Sequence, residues 1–488
     1  MITLNYLDLL RLVLPQVIVV IAALCVLSVD LIFLRTSPTY LRSVIAAVLS
    51  VAGCAVAILC IMQMPHSVNV LDGMLVLNSL AQRMQIVLLI LTMLTILTFI
   101  GPTFTEHISE YLVLILLATV SMMFLVSTQN LLLIFLSFEL LSLSLYVMTA
   151  YDKRSANSAE AALKYFVFGG ISAAFLLFGV SLLYGLSNST NLANIERSLH
   201  GPIDPLLLVT IVMMLVGFGF KVAAAPFHFW APDVYQGAPT SSAALIASSS
   251  KVAGFFIFFQ VMVIGFAGAE GSAVWHGYAS GWVPVVAIVA AISMVLGNLV
   301  AIQQTSVRRL LAYSAVAHAG YMLLGIVSHT DQSLRALLYY AITYALTVLG
   351  SFGVVAVVEE ETGGDALLDF AGLSRRAPLP SFCMLIFLLS LAGIPPLAGF
   401  FGKFYLFSSV LMSTPGTFGL LWLVILAIAM SAVSLYYYLK VLKYIYVADP
   451  LVGTTPVRVS VFRQFVLCVI ALSVVLLGCA PDLLLRWF

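Results

Sequence analysis

The segment Gly217-Phe-Gly-Phe-Lys221-Val-Ala-Ala-Ala-Pro226-Phe-His228-Phe-Trp-Ala-Pro-Asp233 ends an apolar run that begins near residue 206. That run is about as long as a helix needs to cross a bilayer. A lysine at the bilayer centre costs roughly 2.5–3.5 kcal/mol even on a lenient scale. Pro226 denies the carbonyl four residues back its usual amide donor, so the helix should break close to the lysine. In lipid, a broken helix persists only where protein or water satisfies the freed groups. The segment therefore predicts a membrane helix interrupted at a functional point.

The rest of the chain has the same character. Of its 488 residues 62 % are hydrophobic and 8 % charged, against about a quarter charged in a soluble protein. That excludes a soluble globular domain, a disordered chain and a nucleic-acid binder. Apolar runs are continuous rather than alternating, which argues against a barrel. The expected fold is an all-α polytopic membrane protein of about fourteen transmembrane helices. They are placed near 13–33, 41–63, 80–102, 109–127, 130–150, 160–186, 206–228, 240–266, 283–303, 308–328, 332–358, 379–412, 417–447 and 460–480. The first run has no small-residue cleavage site and reads as a retained helix. The connections are too short for a folded extramembrane unit. Residues 1–488 are thus expected to form a single membrane domain, with three N-terminal helices over 1–105.

Basic residues orient the spans. Loops after odd-numbered helices carry Arg35, Arg42, Lys153, Arg154, Arg308, Arg309, Arg375, Arg376, Lys440, Lys443, Arg458 and Arg463, whereas the other side carries Arg11, Arg83, Arg197, Arg335 and Arg486. This places both termini outside. The cluster Tyr436-Tyr437-Tyr438 is expected in an aromatic belt near the inner face, Asp30 at the interface, and the acidic loop Glu359-Glu-Glu-Thr-Gly-Gly-Asp365 in a solvated turn.

Four charges fall well inside spans: Glu139 in the fifth, Lys221 in the seventh, Lys251 in the eighth after Ser248-Ser-Ser250, and Lys403 in the twelfth. Their combined cost, on the order of 10–14 kcal/mol, implies pairing, hydration or both. Pro395-Pro396 should break the twelfth helix as Pro226 breaks the seventh, and carbonyls at a half-helix C-terminus favour a cation. Burial disfavours a charged lysine and a nearby carboxylate restores it. A Lys221 that gains and loses Glu139 as partner could therefore load and release a proton. His228 and His318 are candidate relay groups. Lys164 is a weaker candidate, since Glu160 four residues earlier can pair with it. The seventh and twelfth helices lie five spans apart and share a pattern of glycine, lysine, aromatics and proline. This predicts two inverted five-helix repeats, helices 4–8 (within 106–266) and 9–13 (within 282–447), with 448–488 as a terminal helix. Six scattered cysteines and the absence of a glycine-rich phosphate loop indicate no metal and no cofactor in this chain.

Phe135-Leu-Ser-Phe-Glu139-Leu-Leu-Ser-Leu143, the segment from Gly217 on to Pro239, Arg308-Arg-Leu-Leu-Ala-Tyr-Ser314 and Leu391-Ala-Gly-Ile-Pro-Pro-Leu-Ala-Gly-Phe-Phe-Gly-Lys403 resemble one family. It is the antiporter-like membrane subunits of respiratory complex I, and the resemblance runs essentially end to end. It implies a proton-translocating subunit of the bacterial inner membrane. Flavin and iron–sulfur clusters would sit in partner subunits of a peripheral NADH-oxidising arm. Other antiporter-like and small membrane subunits, and the bilayer, would be the immediate neighbours. By the same resemblance Glu139 pairs with Lys221, Lys251 passes the proton along the midplane, and Lys403 leads it outward. A cation/proton antiporter of the Mrp type, or a membrane-bound hydrogenase, is the alternative within this fold.

Overall fold

The computed structural model describes residues 6–65, 67–101, 104–199, 204–413, 419–450 and 457–488. Among the described residues, thirteen helices are long and apolar enough to cross a membrane. The spans are Leu14–Phe33, Thr39–Met62, Ser79–Thr98, Ile108–Val126, Leu131–Thr149, Ala156–Ser187, Pro205–Val222, Thr240–Gly265, Trp282–Gln303, Val307–Ser328, Asp331–Thr362, Leu421–Tyr446 and Val461–Cys479. The remaining predicted span, the twelfth, is split into Pro378–Ala392 and Ala398–Ser413, each too short alone. With it the chain has the fourteen predicted spans, numbered here in chain order.

Polar caps mark where spans begin. Asn78, Asn130, Ser155, Asp204, Ser306, Thr330 and Ser460 each accept a backbone N–H from the first turn of the helix they precede. Such a cap is worth about 1 kcal/mol and satisfies a donor that lipid cannot. A short β-hairpin, Ser67–Val70 with Leu75–Asn78, lies between spans two and three, where the sequence reading had only a loop. Its turn is tied to the loop after span six by Asn191, which donates to the Asp72 carbonyl at 2.8 Å.

Burial is uneven, and that positions the site. The most apolar stretches of spans eleven, ten and eight are 100 %, 94 % and 89 % buried, against 33 % for spans one, six, thirteen and fourteen. The ring of peripheral spans meets lipid or neighbouring chains, while spans eight, ten and eleven form the centre. Spans nine and ten approach closely through small residues. A Cβ on Gly297 would fall 2.5 Å from the Ala317 nitrogen, and one on Gly320 would fall 2.8 Å from the Ala290 carbonyl. Small residues are the usual means of close helix packing in lipid.

The break expected in span seven occurs after Val222, with Ala223 at φ +57°, and that in span twelve after Ala392, with Gly393 at φ +86°. Both ends close alike. Ala223 and Ala224 donate to Phe220 and Gly219 at 3.0 and 2.8 Å, and Gly393 and Ile394 donate to Ser390 and Leu389 at 2.9 and 3.0 Å. This is the Schellman pattern, which needs one left-handed residue. A third break was not foreseen: span eight divides at Ser248 (φ −109°, ψ −91°) into Thr240–Ala247 and Ser249–Gln260. No proline or glycine marks it.

Asp30 lies in the last turn of span one. It is 2 % exposed and receives Arg42 in a two-pronged ion pair, Nε to Oδ1 at 2.7 Å and Nη2 to Oδ2 at 2.6 Å. The pair staples spans one and two, because the short Leu34–Pro38 turn brings Arg42 back over Asp30. Asp30→Asn should lower stability by about 3 kcal/mol, the scale for unpairing a buried charge. A reduced melting temperature of the detergent-solubilised protein would report it, and an unchanged one would contradict the staple.

Candidate functional site: a row of buried lysines

Lys221 lies on the last turn of span seven. Its ammonium donates to the Phe138 carbonyl of span five at 3.3 Å and to the Ser142 hydroxyl, and it lies 5.3 Å from the Phe138 ring centre. Glu139 is the next residue after Phe138, but among the described residues no ion pair within 4 Å joins it to Lys221. Glu139 is half-buried, on the side of span five that exposes Leu136, Leu140 and Leu143. Lys221 therefore reaches the inner face of span five and takes neutral acceptors, while Glu139 turns towards the flank.

Lys251 follows the break in span eight and is 2 % exposed. Its Nζ donates to the Ala315 carbonyl of span ten at 2.9 Å, and the Tyr344 ring centre lies 5.8 Å away. Lys403 lies in the second half of span twelve. Its Nζ donates to the Leu391 and Ala392 carbonyls at 3.0 Å each and to Ser431 at 2.8 Å, with the Tyr321 ring 5.2 Å away. Those two carbonyls end the first half of span twelve, so Lys403 occupies the negative end of a half-helix. This favourable arrangement was anticipated beside Lys221 as well, but Lys221 precedes its break and Lys403 follows its own, so only Lys403 gains it. A cleft of about 330 Å³, lined by Gly393, Phe400, Lys403, Phe404 and Ser431, lies beside this ammonium.

A Cβ on Gly393 would fall 3.1 Å from Lys403 Cδ and 3.2 Å from its Nζ. Gly393→Ala should therefore displace the ammonium from its carbonyls and also strain the left-handed turn, by about 1–2 kcal/mol. The expected outcome is normal abundance in the membrane with a severalfold drop in the proton translocation that the family resemblance implies; wild-type translocation would show that the carbonyl seat is dispensable.

The two histidines differ. His228 is buried in the turn after span seven, stacked on Phe229 at 4.8 Å. His318, at the centre of span ten, has a tyrosine hydroxyl at each ring nitrogen: Tyr340 at 2.7 Å from Nδ1 and Tyr438 at 3.1 Å from Nε2. Tyr437 and Tyr438 are thus fully buried rather than in an interfacial belt; Tyr437 donates to Asn298 at 2.9 Å, and Tyr436 alone of the three is exposed.

Lys164 pairs with Glu160 at 2.8 Å, as its spacing allowed, and also with Asp233 at 2.7 Å. Asp233 in turn binds Arg309 at 2.7 Å. Next to it, Arg308 donates to the Tyr235 carbonyl at 2.7 Å, to Glu359 at 2.8 Å and to the Ala238 carbonyl. The Arg308-Arg309 pair of span ten thereby clamps the short helix Trp230–Gly237 that follows the first break. Glu359 is bound rather than solvated, and Glu360 pairs with Arg463 at 2.6 Å. A polar vestibule of about 390 Å³ opens at this face, lined among others by Asp152, Gln236, Thr240, Arg308, Glu359 and Asp365. Sequence reasoning missed this clamp, because its partners lie 51 to 76 residues apart.

Residues 128–431 match the family described as NADH:quinone oxidoreductase/Mrp antiporter, transmembrane. The chain is 57 % identical to NADH-quinone oxidoreductase subunit N 2 of Acidobacterium capsulatum, over 99 % of each chain. This chain belongs to the antiporter-like membrane-subunit family, on its subunit N branch. It is also 38 % identical to the F(420)H(2) dehydrogenase subunit N of Methanosarcina mazei, over 83 % of this chain and 82 % of that one. Among solved structures, a chain of respiratory complex I from Thermus thermophilus superimposes with a TM-score of 0.78 at 31 % identity, covering 97 % of this chain and 98 % of that one. The buried lysines thus sit in an antiporter-like subunit scaffold along its whole length.

Proposed function

We propose that this chain translocates protons in the membrane arm of a bacterial NADH–quinone oxidoreductase, with Lys221, Lys251 and Lys403 as the carriers. It lies in the inner membrane with its arginine-rich face inside and both termini outside. One observation carries the reading: three ammonium groups inside the fold, on spans seven, eight and twelve, rest on carbonyls and hydroxyls, and among the described residues none forms an ion pair with a carboxylate. A passive scaffold would gain nothing from their desolvation cost. A lysine held by neutral acceptors can lose its proton without stranding a partner charge, which a structural ion pair cannot do.

In this scheme protons enter from the vestibule and the His228 turn towards Lys251. They pass between Lys251 and Lys221 and, by His318, to Lys403, from which they leave outward. Glu139 faces the flank, where charges of a neighbouring membrane subunit act on it and so on the nearby Lys221. Spans 4–8 and 9–13 act as two inverted halves, and Lys164 helps hold the clamp. This subunit carries no redox group of its own; flavin and iron–sulfur clusters belong to partners in the peripheral arm.

The test is to tag the chain, purify it from its native membranes in mild detergent, and assay NADH–quinone reductase activity with the co-purifying polypeptides. Activity with flavin and iron–sulfur subunits attached is the expected result. Recovery with antiporter-like subunits alone would make it part of a cation/proton antiporter. A partner that oxidises F(420)H(2), as the Methanosarcina mazei relative's name says of that protein, would change the electron donor and leave the pumping scheme intact.

A further inference from the structure

His318 is 2 % exposed and lies between two tyrosine hydroxyls. A neutral imidazole donates at one nitrogen and accepts at the other. A carbonyl or carboxylate beside one nitrogen would fix which is which. A hydroxyl plays either part, so this arrangement serves both tautomers equally. That is unnecessary for a packing histidine, but a group that takes a proton at one nitrogen and releases one at the other requires it.

The line extends beyond the histidine. Tyr438 also hydrogen-bonds Ser314 on span ten. Each end of the resulting row, Ser314–Tyr438–His318–Tyr340, stops at the level of a buried lysine. Ala315, next to Ser314, accepts from Lys251 at 2.9 Å. Tyr340 packs against Gly402, the residue before Lys403; a Cβ there would fall 2.3 Å from the Tyr340 ring. Glycine at 402 is what lets the ring reach this position.

We propose that Tyr438 and Tyr340 are relay groups that pass a proton across His318 between Lys251 and Lys403. The inference rests on the proton-translocating reading above. Each hop balances. Ser314 takes up a proton released by Lys251 and gives its own hydroxyl proton to Tyr438, which passes its phenolic proton to His318 Nε2. The transient imidazolium gives the Nδ1 proton to Tyr340, which sheds its own towards Lys403. One positive charge enters and one leaves. Every hydroxyl keeps one proton, and the imidazole ends neutral in its other tautomer; rotation resets the hydroxyls, and a flip of the imidazole ring returns its proton to the starting side.

The experiment uses the intact complex reconstituted in liposomes, with Tyr340→Phe, Tyr438→Phe, His318→Gln and the double variant of His318→Gln with Tyr340→Phe. Phenylalanine keeps the ring packing and removes only the hydroxyl. Redox-driven proton uptake is expected to fall on the order of a hundredfold, as when a positioned proton-transfer group is lost. The residual rate should slow further in D2O, and the double variant should be no worse than His318→Gln alone. Tyr339→Phe is the control: the Tyr339 hydroxyl donates to the Leu477 carbonyl of span fourteen at 2.7 Å, away from the row, and its loss should leave uptake unchanged. Should Tyr438→Phe fail to assemble, Ser314→Ala cuts the row one group earlier and carries the same expectation. Wild-type uptake in the tyrosine variants, with Lys251→Met inactive, would overturn the relay and leave the lysine scheme standing. Wild-type uptake in Lys251→Met as well would overturn both.

Discussion

Lys251→Met is expected to remove nearly all redox-driven proton uptake by the assembled complex while leaving assembly intact. Methionine nearly matches the lysine in length and volume but carries no proton. The Ala315 carbonyl loses one donor but lies within span ten, where the helix ladder supplies it with another. Removing a buried charge that has no counter-ion also removes a desolvation cost, so the variant should fold at least as stably as the native chain. Function and stability are thereby separated. Uptake should fall on the order of a hundredfold or more, with no loss of melting temperature. An equal fall in both would make Lys251 a structural residue.

Arg308→Ala has the largest expected effect on stability. Arg308 is 7 % exposed and its guanidinium satisfies two backbone carbonyls and one carboxylate. Among the described residues, truncation leaves Glu359 with Thr240 as its remaining side-chain donor, and it frees the carbonyls at the end of the helix Trp230–Gly237. Unpairing a buried ion costs about 3–5 kcal/mol, a large share of the stability of an ordinary domain. The chain should fail to accumulate in the membrane. Arg308→Lys should recover little, because an ammonium cannot span three acceptors that a planar fork reaches. Pairing Arg308→Met with Glu359→Gln should recover more than Arg308→Met alone. Quantitative blotting of membranes measures all of these, and normal levels of Arg308→Ala would refute the clamp.

These two residues also show what the sequence could and could not disclose. Lys251 stands out because a charge inside an apolar run has few explanations. The same holds for Lys221 and Lys403, and Pro226 and Gly393-Ile-Pro-Pro396 disclose two helix breaks by backbone chemistry alone. Arg308 lies at a helix start, where arginine is ordinary, and only the fold brings Glu359 and Tyr235 to it. Tyr438 is equally silent: tyrosine near a membrane surface usually marks the interface, and nothing local shows that this one turns inward to His318. The expected Glu139–Lys221 contact is absent for a geometric reason. Phe138 and Ser142 face the end of span seven, whereas Glu139 lies nearer the flank of span five. At the break in span eight, Ser248 and Ser250 turn their hydroxyls back to the Ala244 and Ile246 carbonyls at 2.6 and 2.8 Å, a bond that tends to bend a helix but that a serine run alone does not announce.

The number of protons taken up per electron delivered to quinone, compared between the wild-type complex and Lys221→Ala in sealed liposomes, tests the central claim most directly. If buried lysines of this chain carry protons, the variant lowers that ratio, or stops electron transfer with it, while the complex stays assembled. An unchanged ratio at an unchanged rate would mean that protons cross the membrane elsewhere, and that this row of lysines has another purpose.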